Sequence, residues 1–382
     1  MTRPRRLLIV VNVGWFFVSH RLPVAVAARK AGYEVHVACA LDPELDADTE
    51  RLLGSLGLHL HILRFSRSGS APWDLVRDMA DLTRLFKALR PDLVHLVTLK
   101  PMLLGGIVAK VAGLRGVILA VPGRGSVFTT SGLRASLRRR LVMQLYRLAY
   151  RREANRVIIQ NSEDRDFFLA NRMFAESDIR FIRGSGADLS RLTAEPEPAG
   201  APVVVFVSRM LRQKGVEDFV AAATALRARL VPGRFVLVGD PDPGNRQSHT
   251  REELQQWARS GVVEWWGHRA DINAVFASSH IMCLPTYYGE GVPKVLIEAA
   301  ACGRPIVTTD APGCNDIVHD GDNGLLVPPR DVPALTAALE RLMLDAELRI
   351  RMGQRGRQRA VEEFSLDRVI DQTLAIYQEL GS

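Results

Sequence analysis

A turn followed by a short apolar helix in the second half of the chain has the composition of a phosphate-binding site. Residues 287–303 read Tyr-Tyr-Gly-Glu-Gly-Val-Pro-Lys-Val-Leu-Ile-Glu-Ala-Ala-Ala-Cys-Gly. This pattern predicts a helix that begins at Pro293 and is capped by Gly303. Backbone N–H groups between Gly291 and Lys294, the helix dipole and the Lys294 ammonium all favour an anion.

Two carboxylates flank this predicted anion site. Glu290 precedes the helix, and Glu298 follows it by eight positions, inside the second helical turn. An ionised carboxylate only accepts hydrogen bonds, so the pair suits sugar hydroxyls rather than the phosphate itself. An ordinary capped helix with a solvated Glu298 is the alternative interpretation.

A basic loop begins the same half of the chain. Residues 208–215 read Ser-Arg-Met-Leu-Arg-Gln-Lys-Gly and follow an apolar run directly. Arg209 and Lys214 therefore lie where a strand meets a helix, a position suited to a diphosphate. Lys214 and Lys294 are the two lysines after residue 190, and each falls in a predicted anion-binding loop. A solvated surface loop is the alternative.

Two Asp-x-Asp pairs invite a metal interpretation: Asp46 with Asp48, and Asp240 with Asp242. Asp240 follows an apolar run in a turn rich in proline and glycine, where aspartate is common. The basic loop already supplies positive charge for a diphosphate. The sequence therefore predicts no metal and no other cofactor.

A basic amphipathic segment spans residues 133–156. It holds eight arginines and one acid, Glu153. Leucines at 133, 137, 141, 145 and 148 recur at helical spacing, so we expect this stripe to pack on the sheet. The arginines would then face anionic lipid. The predicted membrane-facing residues are Arg134, Arg138, Arg139 and Arg147.

Apolar runs alternate with helical segments along the whole chain, which is typical of parallel βαβ units in an α/β fold. Strands are predicted at Leu7–Val13, Glu34–Ala40, Leu58–Arg64, Asp92–Thr98, Val117–Val121, Arg156–Gln160, Val203–Ser208, Phe235–Gly239, Val262–Gly267, Ile281–Pro285, Pro305–Thr309 and Gly324–Val327. Helices include Trp73–Arg90 and most of the chain from Val332, with breaks near Asp345 and Phe364.

A segment rich in proline, alanine and glutamate at 194–202 interrupts the alternation and predicts a linker. The expected domains are 1–193 and 203–364, with a C-terminal helix over 365–382 packing back on the first domain. Both domains would be doubly wound, with a ligand-binding crevice at the carboxyl ends of their strands.

The net charge of +8 is unevenly distributed. Residues 1–190 hold 29 basic and 17 acidic side chains, whereas residues 191–382 hold 21 and 25. The first half should therefore attract anions by its overall charge. Arg3, Arg5 and Arg6 before Leu7–Val13 imitate a secretory signal, but no cleavage pattern follows, so a buried first strand and a cytoplasmic protein are predicted.

The chain resembles the retaining nucleotide-sugar glycosyltransferases of family 4. The resemblance rests on the frame Glu-Gly-x-Pro-x-x-x-x-Glu-Ala at 290–299, on Arg209 with Lys214, and on the segments 303–307 and 321–327. It implies the GT-B fold, in which two Rossmann-like domains face each other across a cleft.

The resemblance also implies site roles. Glu290 would engage the donor sugar, Glu298 the ribose, and Arg209 with Lys214 the diphosphate. Catalytic residues would be Glu290, Arg209 and Lys214, and donor-binding residues Gly291, Val292, Pro293, Lys294 and Glu298.

Within that family the chain is most similar to bacterial enzymes that extend polyprenyl-diphosphate-linked glycans. The matching segments are 19–23, 98–101, 184–188 and 239–245. Candidate acceptor-binding residues are Gly14, His20, Arg21, Thr98 and Lys100. A helix-capping role for His20 remains an equal alternative.

Two departures from the family pattern concern the first half. Many members carry His-x-His after the fourth strand, whereas here His95 is followed by Leu96 and Val97. The role of the second histidine therefore cannot be transferred. The glycine-rich first loop retains Gly14 alone, followed by three aromatic residues.

The sequence thus predicts a peripheral membrane glycosyltransferase that uses a UDP-sugar and a polyprenyl-diphosphate-linked saccharide, with retention and without nucleic acid as a partner. A sugar-nucleotide epimerase of the same fold and a two-lobed solute-binding protein remain alternatives. A nicotinamide dehydrogenase is disfavoured because no GxGxxG follows the first strand. The donor sugar, the acceptor glycan, the linkage and the oligomeric state are not specified.

Overall fold

The computed structural model describes residues 3–43, 45–65, 72–123, 133–150, 155–287, 289 and 291–381, without the side chains of 72, 133–135 and 138. Contacts between residues divide the chain into two compact units. The first comprises Met1–Ser185 with Arg368–Ser382, and the second comprises Gly186–Asp367. The contact boundary thus precedes the predicted linker.

The first unit is a parallel α/β unit. Its strands are β1 (Arg6–Val13), β2 (Glu34–Ala40), β3 (His59–Ile62), β4 (Leu93–Val97), β5 (Val117–Val121), β6 (Asn155–Ile159) and β7 (Ile179–Phe181). Its helices are α1 (Gly14–His20), α2 (Leu22–Lys30), α3 (Thr49–Ser55), α4 (Pro72–Leu89), α5 (Gly106–Val111), α6 (Leu133–Ala149) and α7 (Ser162–Ala170), with a π-helical turn at Pro101–Gly105 and a 3₁₀ turn at Glu176–Asp178.

All pairings in this sheet are parallel, in the order β3-β2-β1-β4-β5-β6-β7. Its central strands are buried on both faces because helices cover each side, which explains their continuous apolar runs. The three-residue strand β7 was missed because so short a run has no readable alternation.

The second unit repeats this plan with six parallel strands in the order β10-β9-β8-β11-β12-β13. They are β8 (Val203–Val207), β9 (Arg234–Val238), β10 (Glu264–Gly267), β11 (Ile281–Leu284), β12 (Ile306–Thr309) and β13 (Gly324–Val327). The helices are α8 (Val216–Ala228), α9 (Arg251–Arg259), α10 (Ile272–Ala277), α11 (Lys294–Ala301), α12 (Cys314–Ile317), α13 (Val332–Leu344) and α14 (Ala346–Glu363), with a 3₁₀ turn at Arg212–Lys214. The last helix, α15 (Leu366–Gly381), begins at the end of this unit.

The predicted linker segment 194–202 is anchored within the second unit. The buried Arg304 donates to the carbonyl of Glu195 at 2.9 Å, and Arg349 forms a two-point ion pair with Glu197. Helix α15 belongs mainly to the first unit, where Val369, Ile376 and Tyr377 are buried.

The expectation that the leucine stripe of α6 packs inward is wrong for three of its members. Leu137, Leu141 and Leu148 are 70%, 60% and 49% exposed. Leu145 does pack against the core, on the inner face of α6 that Val142, Tyr146 and Ala149 also form. The helix also ends at Ala149 rather than 156, and Arg156 lies in β6, where it pairs with Glu379 at 2.8 Å. Among the described helices, none is long and apolar enough to cross a bilayer.

Candidate active site

The order of strands reverses once in each sheet, and most of the candidate residues lie there. In the second unit β8 and β11 are neighbours, and the loops that follow them contain Arg209, Lys214 and the segment 285–293. In the first unit β1 neighbours β4, and the loops that follow contain Gly14 and Thr98. Ligands of open parallel sheets bind at such reversal points, at the carboxyl ends of the strands.

The basic loop of the second unit is tied to the end of β11. The backbone N–H of Tyr287 donates to the carbonyl of Gln213 at 3.1 Å, and the Thr286 hydroxyl donates to the same oxygen. Gly215 has φ +80°, and a Cβ there would lie 2.2 Å from the Pro285 carbonyl oxygen. Glycine therefore allows the turn that ends at Lys214 to contact the segment leading into the predicted anion site.

Arg209 is oriented by a buried carboxylate. Its Nη1 lies 2.7 Å from Oδ2 of Asp242. The Asp242 side chain is 4% exposed, whereas that of Arg209 is 45% exposed. Asp242 thus holds the guanidinium in place by a charge-assisted hydrogen bond, while nearly half of the Arg209 side chain is exposed. The sequence names Asp242 as a member of an Asp-x-Asp pair and predicts no contact with Arg209. Its position after β9, the neighbour of β8, is the signal that indicates this contact.

A charged cluster stabilises the other end of the loop. Arg212 contacts Glu217 and lies 2.6 Å from Glu253, and hydrogen bonding to Glu253 raises the pKa of Arg212. His249 is completely buried beside these residues, and burial lowers its pKa. Its backbone N–H donates to the carbonyl of Met210, which joins the loops after β8 and β9.

The helix predicted at the anion site is present as α11. Pro293 is its N-cap rather than its first residue, and no side chain caps it. Val292 is buried before it. Lys294 and Glu298 are paired on one side of the helix, with Nζ and Oε1 2.8 Å apart. The sequence predicts separate roles for Lys294 and Glu298, although their i,i+4 spacing on a helix indicates this contact. Glu290 lies outside the described residues.

Two first-unit candidates follow β1. Gly14 is buried, and a Cβ there would lie 2.5 Å from Oδ1 of Asp46, so the close approach requires glycine. The His20 ring stacks on Phe16 with centroids 4.2 Å apart, and its Nδ1 lies 3.3 Å from the Phe16 carbonyl oxygen. His20 is thus positioned by local contacts at the end of α1.

Thr98 and Lys100 follow β4. Thr98 has φ +74°, a conformation that is strained for a β-branched residue. Its Oγ1 is sheltered from solvent and has no hydrogen-bond partner among the described residues. Lys100 Nζ lies 3.2 Å from Oδ2 of the buried Asp78. That ion pair fixes the position of the loop and offsets much of the lysine charge.

Arg21 points into the interior of the first unit and is 5% exposed. His95 is 1% exposed, and its Nδ1 lies 2.7 Å from the Tyr377 hydroxyl. Burial, followed by the nearby Arg21, lowers the pKa of His95 to about 3. Burial lowers the pKa of Arg21 to about 10. His95 is therefore neutral at physiological pH.

The predicted membrane-facing arginines lie on α6. Arg147 donates to the carbonyl of Asn171 at 3.1 Å and Arg139 is half-buried, whereas the side chains of Arg134 and Arg138 lie outside the described residues. Within the described ranges, no three His, Cys, Asp or Glu side chains are grouped as a metal site.

Two family descriptions together match most of the chain. "Glycosyl transferase 4-like" matches residues 6–161, and "Glycosyl transferases group 1" matches residues 201–345. The chain is a family 4-like glycosyltransferase. This membership sets aside the dehydrogenase and solute-binding alternatives.

Two curated relatives of this glycosyltransferase match over most of their length. An N,N'-diacetylbacillosaminyl-diphospho-undecaprenol alpha-1,3-N-acetylgalactosaminyltransferase from Campylobacter jejuni is 28% identical, with 94% of each chain covered. A UDP-Gal:alpha-D-GlcNAc-diphosphoundecaprenol alpha-1,3-galactosyltransferase from Escherichia coli is 26% identical, with 80% of this chain and 81% of the relative covered.

Solved structures support the predicted GT-B fold. A sucrose-phosphate synthase from Thermosynechococcus elongatus matches with a TM-score of 0.79 at 20% identity, covering 98% of this chain and 99% of that one. An Anabaena protein solved with UDP and glucose matches with a TM-score of 0.77 at 18% identity, covering 97% and 99%. The glycosyltransferase therefore has the GT-B fold that the sequence predicted.

Proposed function

We propose that this glycosyltransferase transfers a hexosyl or N-acetylhexosaminyl group from a UDP-sugar to a polyprenyl-diphosphate-linked saccharide, with retention of anomeric configuration. The bond between the anomeric carbon and the diphosphate oxygen breaks, and UDP leaves with the electron pair. An acceptor hydroxyl forms the new glycosidic bond on the same face of the sugar. Its proton passes to a phosphate oxygen of the leaving UDP.

The observation that carries this proposal is that the loops with Arg209, Lys214 and the predicted anion site are joined at the strand-order reversal of the second unit. Arg209, the turn that ends at Lys214 and the segment leading to α11 are linked by hydrogen bonds at the ends of β8 and β11. Donors fixed in advance stabilise charge on a departing diphosphate without reorganising. Glu290 would orient the sugar, and Glu298, already paired with Lys294, retains oxygens that can accept ribose hydroxyls.

We also propose that the reaction needs no metal, and one contact of the same arrangement supports this. Asp242, one member of the Asp-x-Asp pair, is engaged by Arg209 at 2.7 Å. Arginine, lysine and helix-end amides would supply the positive charge that a divalent ion supplies elsewhere. We therefore expect full activity in the presence of EDTA.

The acceptor assignment rests on the first unit and on its relatives. The names of two relatives specify diphospho-undecaprenol acceptors. The segments that follow β1 and β4, which contain His20 at the end of α1 and Thr98, would bind the acceptor saccharide. The carrier lipid itself requires a membrane surface close by.

Helix α6 presents a surface suited to a bilayer. Leu137, Leu141 and Leu148 project into solvent, with the exposed Arg140 and Arg147 between them. Exposed leucines flanked by arginines are typical of helices that lie in the headgroup region of anionic membranes. Peripheral association at the cytoplasmic face of the membrane is therefore part of the proposal.

A donor screen tests the transfer reaction. The protein is incubated with individual UDP-, GDP- and dTDP-sugars and a short polyprenyl-diphosphate saccharide, and release of the nucleotide diphosphate is measured. We expect turnover with a UDP-sugar, and a near-complete loss in Glu290→Ala and in Lys214→Ala. The exposed Lys30→Ala is the matched control, and circular dichroism checks folding. Full activity of either site variant would overturn the site assignment.

Two further measurements separate the finer alternatives. The anomeric proton coupling of the product, measured by NMR, distinguishes retention from inversion. Incubation with the UDP-sugar alone tests the epimerase alternative, because an epimerase would isomerise the donor without any acceptor. We expect the donor to remain unchanged in that incubation.

A further inference from the structure

A small cavity within the first unit is lined by one cation and no acid among the described residues. It lies between the start of α2, the middle of β4, the end of β6, the segment after β7 and helix α15. Its polar lining comes from Arg21, His95, Gln160 and Thr373. The cavity volume is about 10 Å³, which is room for one water molecule or one ion of similar size.

Arg21 brings a positive charge to this cavity, and no acid of the described residues forms an ion pair with it. It is 5% exposed, and its Nη1 donates to the carbonyl of His20 at 3.1 Å. Its Nε is buried and has no hydrogen-bond partner in the described part of the chain. Buried charges are normally paired, because an unpaired one loses its hydration without compensation. The cavity beside Arg21 is where the missing counter-charge can lie.

His95 adds a second unpartnered polar atom. Its Nδ1 contacts the Tyr377 hydroxyl at 2.7 Å, whereas its Nε2 is buried with no partner within the described ranges. The positive charge of Arg21 favours an orientation of the Tyr377 hydroxyl in which the oxygen lone pairs face the guanidinium. In that orientation the hydroxyl donates its hydrogen to Nδ1 of His95. That arrangement assigns the ring proton to Nε2, which makes Nε2 a donor.

The remaining polar group of the lining can also donate. Gln160 carries an amide NH₂, while the Thr373 hydroxyl already donates to the carbonyl of Val369 at 2.7 Å. The guanidinium of Arg21, the imidazole N–H of His95 and the amide of Gln160 can therefore all donate to one small ligand in the cavity. Positive charge, donors and small volume together select a monatomic anion.

We propose that this cavity binds a halide ion, chloride under physiological conditions, held by Arg21 and His95. The ion bridges α2 and β4, and through the His95–Tyr377 hydrogen bond it also supports the attachment of α15 to the first unit. This structural anion site is separate from the proposed transfer reaction and does not depend on it.

Thermal unfolding of the full chain tests the site. The melting temperature is measured in sodium chloride and sodium bromide against sodium gluconate at constant ionic strength, because gluconate is too large for the cavity. We expect a saturable rise with either halide in the wild type and no halide-specific rise in Arg21→Met. The exposed Arg115→Met is the matched control and should keep the wild-type response. An identical halide response in Arg21→Met would overturn the proposal.

Bromide soaking provides a readout that does not depend on a variant folding. We expect an anomalous peak within hydrogen-bonding distance of Arg21 Nε and His95 Nε2. A cavity occupied by water, with no anomalous signal and no halide effect on the melting temperature, overturns the proposal. A peak without any halide effect on stability would mean an adventitious ion only and would also overturn it.

Discussion

At the scale of single residues, the orientation of Arg209 depends on the buried carboxylate of Asp242. Asp242→Asn keeps the shape of the side chain but removes the charge that pairs with the guanidinium. Because a charge-assisted hydrogen bond contributes about 1.5–3 kcal/mol, we expect kcat/KM for the nucleotide sugar to fall roughly ten- to a hundredfold.

Steady-state kinetics with varied donor checks this prediction. Asp242→Glu should recover part of the activity, and the neighbouring Asp240→Asn should resemble the wild type. A simple loss of structure would instead lower the melting temperature and affect donor and acceptor kinetics equally. Unchanged donor kinetics in Asp242→Asn would contradict the positioning role.

Thr98 combines strain with a candidate function. A β-branched residue at φ +74° costs on the order of 1–3 kcal/mol, so Thr98→Gly should raise the free energy of unfolding by about 1 kcal/mol. Thr98→Ala keeps the strain and removes only the unpartnered hydroxyl. If the hydroxyl contacts the acceptor, kcat/KM for the acceptor should fall in both variants. The free energy of unfolding, measured in urea, should rise only in the glycine variant. A lower free energy of unfolding in Thr98→Gly than in the wild type would contradict the strain at Thr98.

At the scale of elements, helix α6 places its apolar residues on two sides. Val142 and Tyr146 pack against the first unit, while Leu137 and Leu141 are exposed. Leu137→Glu with Leu141→Glu should therefore weaken binding to vesicles that contain anionic lipid, by about tenfold or more, with little change in melting temperature. Flotation with the vesicles measures this binding.

The control for α6 is an exposed apolar residue on another helix. Leu344→Glu on α13 removes a side chain that is 63% exposed and should leave vesicle binding unchanged. Equal binding of the double variant and the wild type would contradict membrane contact through α6. The difference in binding between anionic and neutral vesicles measures the part that depends on the arginine charges.

At the scale of the whole molecule, buried histidines make stability depend on pH. Burial lowers the pKa of five of them: His36, His61, His95, His249 and His280. Below pH 6.5 the unfolded chain binds more protons than the folded one, so the free energy of unfolding falls as the pH falls. His95 alone contributes up to about 1.4 kcal/mol per pH unit between 6.5 and about 3.

Urea unfolding at pH 7, 6 and 5 in halide-free buffer measures this slope. We expect His95→Gln to be less stable than the wild type at pH 7, because it loses the contact with Tyr377, yet to have a shallower slope below pH 6.5. The exposed His268→Gln should keep the wild-type slope. A slope unchanged by His95→Gln would show that His95 titrates normally.

The sequence by itself determined most of the elements and indicated an anion site in the second unit. Periods of two and 3.6 residues are local properties, so twelve strands and the helical tail could be predicted, and a glycine–proline turn with a lysine indicates an anion site wherever it lies. Glu290 and its proposed role still rest on that pattern, because the residue lies outside the described ranges.

The tertiary structure decided which charges meet and which apolar face is covered. Asp242 contacts Arg209 because neighbouring parallel strands bring their carboxyl ends together, although 33 positions separate the two residues. Arg21 is buried beside His95, and Leu137, Leu141 and Leu148 of α6 face solvent, because of contacts between elements that are distant in the sequence. A helix with apolar residues on two sides can pack with either side inward. The shape of the surface against which it packs decides which side is buried.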